Sequence, residues 1–129
     1  MGEKPTYRLS HVVRATRNGV DETLARLREA GLAAVKVDDR TSESALPGGI
    51  RVMTMHRAKG LEFRKVLLFD VSRNAIPRSL RDQQYSEADR DDALLRERSL
   101  LYVAATRARD QLAISWSGEA SPLITALVP

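Results

Sequence analysis

Short apolar runs alternate along the chain with longer amphipathic or polar stretches, and the spacing predicts the elements in order. "YRLSHVV" (Tyr7–Val13) is β-branched and aromatic enough for a first strand. In the stretch that follows, Val20, Leu24, Leu27 and Ala30 recur at helical spacing. Asn18 is placed to cap the start of that helix and Gly31 to end it. "AAVKVD" (Ala33–Asp38) reads as the second strand, and the polar, small, glycine-rich Asp39–Gly49 as a loop. "IRVMTM" (Ile50–Met55) and "KVLLFDV" (Lys65–Val71) are two more strands, the second apolar almost throughout, as in a parallel strand covered on both faces. A polar loop with Pro77 covers Ser72–Asp89. A helical pattern returns from about Ser86 to Ala105, with Leu94, Leu95, Arg98, Leu101, Tyr102 and Ala105 on one stripe and Tyr102 expected in the core. "LAISWS" (Leu112–Ser117) is a last strand and "SPLITAL" a short final helix. Strands alternating with helices predict an α/β domain with a mainly parallel sheet, whose ligands meet the loops at the carboxyl ends of strands.

Length and composition narrow the class. The chain has 129 residues, which suits one domain over residues 1–129, and 43% hydrophobic with 29% charged residues is the balance of a folded soluble protein. There is no cysteine, which excludes disulfides and thiolate metal sites, and His11 and His56 show no metal-ligand spacing. No run is long and apolar enough to span a bilayer, and "MGEKPTYR" lacks the apolar stretch of a secretory signal, so a cytoplasmic location without membrane contact is expected. The formal charge is +4, carried by 17 Arg and 4 Lys against 17 acidic residues. Arginine suits phosphate because its planar fork can donate two hydrogen bonds to one oxyanion. Taken alone, so small an excess fits a solvated basic surface as well as a nucleic-acid or nucleotide partner.

Two constellations carry chemistry. The first, "TMHRAKGLEF" (Thr54–Phe63), puts His56, Arg57 and Lys59 in a turn between two strands, followed by Gly60 and the lone carboxylate Glu62. The cations could meet a phosphate backbone, the glycine permits close backbone approach, and the glutamate could accept hydrogen bonds from sugar hydroxyls. A solvated turn with a glycine bend is the plainer alternative. The second, "RERSLLYVAATRARDQL" (Arg96–Leu112), ends an apolar helix abruptly in Thr106, Arg107 and Arg109. An arginine held rigidly at a helix end can stabilise charge on a transferring phosphate. Equally, these arginines could complement the negative end of the helix or pair with Asp110.

Taken together, "VMTMHRAKGLEF" and, some thirty residues later, "RERSLLYVAATRA" resemble motifs V and VI of the UvrD/Rep/PcrA-type superfamily 1 DNA helicases, in order and in register. "HVVRATRNGVDETLARLREAGL" is similar to the preceding strand and helix of the same domain, and "LAISWSGEASPLI" to the segment after motif VI, so the resemblance covers nearly the whole chain. It implies a RecA-like three-layer fold, the second (C-terminal, 2A) motor domain of a helicase that hydrolyses ATP with Mg²⁺ and moves on single-stranded DNA. It implies that Glu62 contacts the ATP ribose, that Arg107 reaches the γ-phosphate as the catalytic arginine, and that Gly60 shapes the nucleotide end of the turn. It also implies that Thr54 and His56 lie toward the DNA backbone, with Arg57 and Lys59 beside them. The turn would then serve DNA near its start and nucleotide near its end.

The departures are as informative. Nowhere is there a G-x-x-x-x-G-K-S/T phosphate-binding loop; "LPGGI" has no following lysine, and no paired acidic motif for Mg²⁺ follows a strand. The first RecA-like domain, which carries both in this family, is missing, and only "DRTSESALPGG" stands where the large 2B insertion precedes motif V. The chain therefore reads as part of a larger helicase, inactive alone, with the N-terminal RecA-like domain of the same polypeptide as its partner. The alternative is a stand-alone nucleic-acid-binding or regulatory module without ATPase activity. One tryptophan, two phenylalanines and three tyrosines leave few platforms for stacking bases, which argues mildly against a single-strand-binding module.

Overall fold

The computed structural model describes residues 11–38, 40, 48–77 and 86–126. Most of the loop expected over Asp39–Gly49, the centre of the one expected over Ser72–Asp89 and the start of the expected first strand lie outside these residues. Five strands form one sheet: β1 (His11–Arg14), β2 (Ala34–Lys36), β3 (Ile50–Thr54), β4 (Phe63–Leu68) and β5 (Ala108–Ile114). Their order is β2-β3-β1-β4-β5, and every pairing is parallel.

Alternation along the strands sorts the core into two layers. Val12 and Val52 face α1 (Arg17–Glu29) and pack with Val20, Leu24 and Ala34. Val13 and Met53 face the other way, with Leu68 of β4. There they meet α2 (Met55–Ala58) and α3 (Glu87–Thr106) through Met55, Ala58, Leu101 and Ala104. One helix on one face and two on the other give the expected three-layer α/β architecture. Met53, Leu68 and Leu101 are fully enclosed, each contributing about 1.5–3 kcal/mol through removal from water.

The helix ends follow local chemistry. Thr16, not Asn18, caps α1: its hydroxyl accepts from the Gly19 amide at 3.0 Å. Asn18 lies inside the first turn. At the other end Leu32 N–H donates to Leu27 C=O and Gly31 N–H to Arg28 C=O, with Gly31 at φ +81°, a Schellman closure that needs a residue tolerant of the left-handed region. Ser86 caps α3, where Glu87 and Asp89 complement the helix dipole.

Three expectations are corrected. The stretch after β3 is not wholly a loop, because Met55–Ala58 forms one helical turn. The last strand begins at Ala108, immediately beyond α3, and ends at Ile114. Tyr102 is not in the core; it is 54% exposed and Leu95 59%. Of the expected stripe Leu101 and Ala105 are buried and Leu94 packs against the core, and the small Ala93 and Ala104 complete the buried face of α3. Among the described residues, no helix is long and apolar enough to cross a membrane.

Candidate functional site at two edges of the sheet

The turn from Thr54 to Phe63 joins opposite edges of the sheet. Thr54 pairs with Arg14 at the carboxyl ends of β3 and β1, and Arg51 and Val66 both pair with His11. Phe63 therefore lies six residues down the strand direction from the level of Thr54, or roughly 20 Å at strand rise. The sequence placed the whole turn at the carboxyl edge. Only its beginning is there; Glu62 lies at the amino edge.

At the carboxyl edge a groove of about 1030 Å³ opens between the ends of β1, β2 and β3. Thr54, His56 and Arg57 line it, as do Thr16, Arg17 and Asn18 at the start of α1 and Lys36 and Arg40 from the β2 side. The lining carries four Lys or Arg side chains against one carboxylate, Asp38. The N-terminus of the thirteen-residue α1 adds backbone amides and the positive end of a helix dipole. Local bonds fix the floor of the groove. The Thr54 hydroxyl accepts from the Arg57 amide at 3.2 Å, capping α2, and Arg57 Nε donates to the Asp38 carbonyl at 2.8 Å, tying α2 to the segment after β2. Lys36 Nζ meets Asp21 at 3.1 Å. Lys59 is exposed and does not line the groove.

The sequence reading missed the contribution of Thr16, Arg17, Asn18, Lys36 and Arg40. The signal was present: a threonine and two polar residues between a strand and an amphipathic helix place a helix N-terminus at the carboxyl edge.

Beneath this groove sits a buried polar knot. Arg14, with 9% of its side chain exposed, donates to the Gly19 carbonyl at 3.1 Å, the Thr23 hydroxyl at 2.8 Å and Asp70 Oδ2 at 3.1 Å. Its guanidinium also lies 5.1 Å from the centre of the Phe69 ring. Ser72 Oγ donates to Asp70 Oδ1 at 2.6 Å and accepts from the Ser117 amide at 2.9 Å. The knot binds the start of α1 to the carboxyl ends of β1 and β4.

At the amino edge, Arg107 and the end of the turn meet. The Phe63 amide donates to the Arg107 carbonyl at 2.8 Å. The Arg107 side chain donates through Nη1 to the Leu61 carbonyl at 3.4 Å. Glu62 thus stands between two residues that each hold Arg107, with its own carboxylate exposed and unpaired among the described residues. The Phe63 ring stacks on the buried His11 imidazole, centres 3.8 Å apart. Gly60 has φ +84° with open space where a Cβ would be, so the backbone angle, not crowding, calls for glycine there. The structure thus brings Glu62 and Arg107 together, brings Thr54, His56 and Arg57 together, and keeps the two groups apart.

Comparison with known proteins agrees with this architecture. Over 90% of the chain and 60% of the other protein, the fold superposes on the crystal structure of the C-terminal domain of a possible DNA helicase from Lactobacillus plantarum, with a TM-score of 0.66 at 22% identity. DNA helicase II of Escherichia coli is 33% identical over 127 residues, 90% of this chain and 16% of that protein. ATP-dependent DNA helicase PcrA of Bacillus subtilis is 35% identical over 77 residues, 60% of this chain and 10% of that protein. The chain thus spans a small fraction of the length of these relatives. The profile of the UvrD-like helicase C-terminal domain matches residues 7–119, and the chain belongs to that family.

Proposed function

We propose that this chain is the second motor domain of an ATP-dependent DNA helicase, with nucleotide at the amino edge of its sheet and single-stranded DNA at the carboxyl edge. The observation that carries the reading is the separation of the two residue groups by the height of the sheet, with one continuous turn joining them. At the amino edge, Arg107 presents a cation fixed by the chain itself, suited to the charge that grows on a transferring γ-phosphate. Glu62, next to it, supplies an acceptor for ribose hydroxyls, and Gly60 gives the turn its bend. At the carboxyl edge, the α1 N-terminus, Arg17, Lys36, Arg40, Arg57, His56 and the Thr54 hydroxyl form a basic track for a phosphate backbone.

The rest of the nucleotide site comes from a companion domain bearing a phosphate-binding loop, which this sequence lacks. Magnesium would neutralise phosphate charge and enter with the nucleotide. Among the described residues no three His, Asp or Glu side chains cluster, and in this reading the companion domain supplies the protein ligands of the ion.

The test is steady-state ATPase kinetics of the intact helicase bearing Arg107→Ala. Loss of a charge acting mainly on the transition state lowers kcat by roughly 10³-fold with KM changed far less. An unchanged kcat removes the reading.

A further inference from the structure

The chain itself engages three of the five N–H groups of Arg107. Nε donates to the Val103 carbonyl at 3.1 Å, Nη1 to the Leu61 carbonyl at 3.4 Å and Nη2 to the Thr106 hydroxyl at 3.2 Å. The Thr106 hydroxyl in turn donates its single proton to the Val103 carbonyl at 2.8 Å. With that proton committed, the oxygen can only accept from the guanidinium. Val103 O, Thr106 Oγ1 and Arg107 Nη2 form a relay that anchors the arginine head to the end of α3, while Leu61 anchors it to the turn. One N–H on each terminal nitrogen has no acceptor among the described residues, which is the pair a phosphate oxygen could take.

We propose that Thr106 is a positioning residue for phosphoryl transfer: its locked hydroxyl fixes the rotation of the Arg107 guanidinium, so that the remaining N–H pair is aimed before nucleotide arrives. The inference rests on the reading of Arg107 as the γ-phosphate contact. Thr106 is solvent-exposed at the last position of α3, so it adds nothing to the core. A long arginine side chain loses rotamer freedom when it must be held in one pose, and fixing it in advance removes that cost from the reaction step. The helix end itself needs no side-chain hydroxyl, because the Arg107 amide already donates to Ala104 C=O at 3.2 Å.

Four single variants of the intact helicase, and Thr106→Val combined with Arg107→Ala, test this. Thr106→Val keeps the shape and removes the acceptor, Thr106→Ala removes the hydroxyl without a replacement methyl, and Thr106→Ser keeps the hydroxyl. Arg107→Ala serves as the background. Losing one aiming hydrogen bond lowers kcat roughly threefold to tenfold in Thr106→Val and Thr106→Ala. The KM for ATP stays within about twofold and the melting temperature is unchanged. Thr106→Ser recovers the wild-type kcat, and Thr106→Val adds nothing once Arg107 is alanine. The proposal is overturned if Thr106→Val and Thr106→Ala turn over like wild type while Arg107→Ala is impaired. Failure of serine to rescue, or an equal loss in the Arg107→Ala background, overturns it too. If Arg107→Ala itself turns over normally, the underlying nucleotide reading has failed as well.

Discussion

The Arg14 guanidinium and the Asp70 carboxylate meet at 3.1 Å across the carboxyl ends of neighbouring strands, 56 residues apart in sequence. Asp70 holds this position with φ +64°, in the left-handed region that aspartate tolerates better than most residues because its short side chain can bond locally. The pair is unequally buried, with 9% of the Arg14 side chain and 30% of Asp70 exposed. Removing either partner therefore has unequal cost. Arg14→Ala strips the buried donor from Thr23, the Gly19 carbonyl and Asp70 together, and is expected to cost about 3 kcal/mol. Asp70→Asn keeps the conformation and an acceptor but loses the charge, and is expected to cost about 1 kcal/mol. Urea unfolding of both single variants and the double variant measures the coupling. Strictly additive costs show that the pair contributes nothing of its own.

Gly19 makes the same knot visible in another way. A Cβ there would stand 3.0 Å from the Arg14 guanidinium, so Gly19→Ala presses on the ion pair at its centre. The arginine end is flexible enough to yield, and alanine gains about 1 kcal/mol over glycine inside a helix, so a net change within about 1 kcal/mol is expected rather than loss of the fold. A melting curve for Gly19→Ala checks this. A gain of the full helix propensity, about 1 kcal/mol, would show that Arg14 is less fixed than its three partners indicate.

The layered fold was legible in the sequence because strands and helices alternate with the two different periods that burial imposes. Val12 and Val13, or Val52 and Met53, must face opposite layers in any sheet covered on both sides. The α3 face was read in part: Leu101 and Ala105 are buried as the stripe requires, but Ala93 and Ala104 complete the contact, while a pattern weighted by large side chains follows Leu95 and Tyr102 outward. The one-turn helix at Met55–Ala58 is too short to show any period. In the site, motif residues could be named from the sequence but not sorted between edges. That assignment depends on strand register, and it is the pairing of β1 with both β3 and β4 that puts Thr54 and Glu62 at opposite ends. The Arg14 knot was illegible because its partners Thr23, Asp70 and Ser72 are brought together only by the crossovers.

The isolated chain is expected to show no measurable ATPase, with or without single-stranded DNA. Arg107 can stabilise a transition state only when another group holds and neutralises the phosphates, and no phosphate-binding loop is present. Turnover is measured on repurified protein. DNA-stimulated hydrolysis that persists through repurification and vanishes in Arg107→Ala would contradict this division of labour.

DNA binding by the isolated chain is expected to be weak, indifferent to sequence and dependent on salt through few contacts. Each phosphate neutralised on a single strand adds about 0.7 to the slope of log affinity against log salt, so four cationic groove residues give a slope no steeper than about −3. Arg17→Ala and Lys36→Ala should each flatten it by about 0.7. Oligonucleotide titrations at several salt concentrations read the slopes directly. Tight binding insensitive to salt would place the contact elsewhere than this groove.

In the intact helicase, His56 and Arg107 should separate two properties of one turn. His56 lines the groove at the carboxyl edge, and Arg107 is anchored to Leu61 at the amino edge roughly 20 Å away along the strands. His56→Ala leaves the nucleotide edge untouched, so basal hydrolysis should persist. On the proposed reading it removes a contact through which DNA acts on the turn, so stimulation by single-stranded DNA should fall. Arg107→Lys should fail even in the absence of DNA, because a lysine has no planar fork to bond Val103, Leu61 and Thr106 while facing phosphate. Kinetics of both variants with and without an oligonucleotide, after each is shown to be folded, distinguish the effects. The same loss in both would mean that the turn acts as one site and that the sheet height between its ends does not divide nucleotide from DNA.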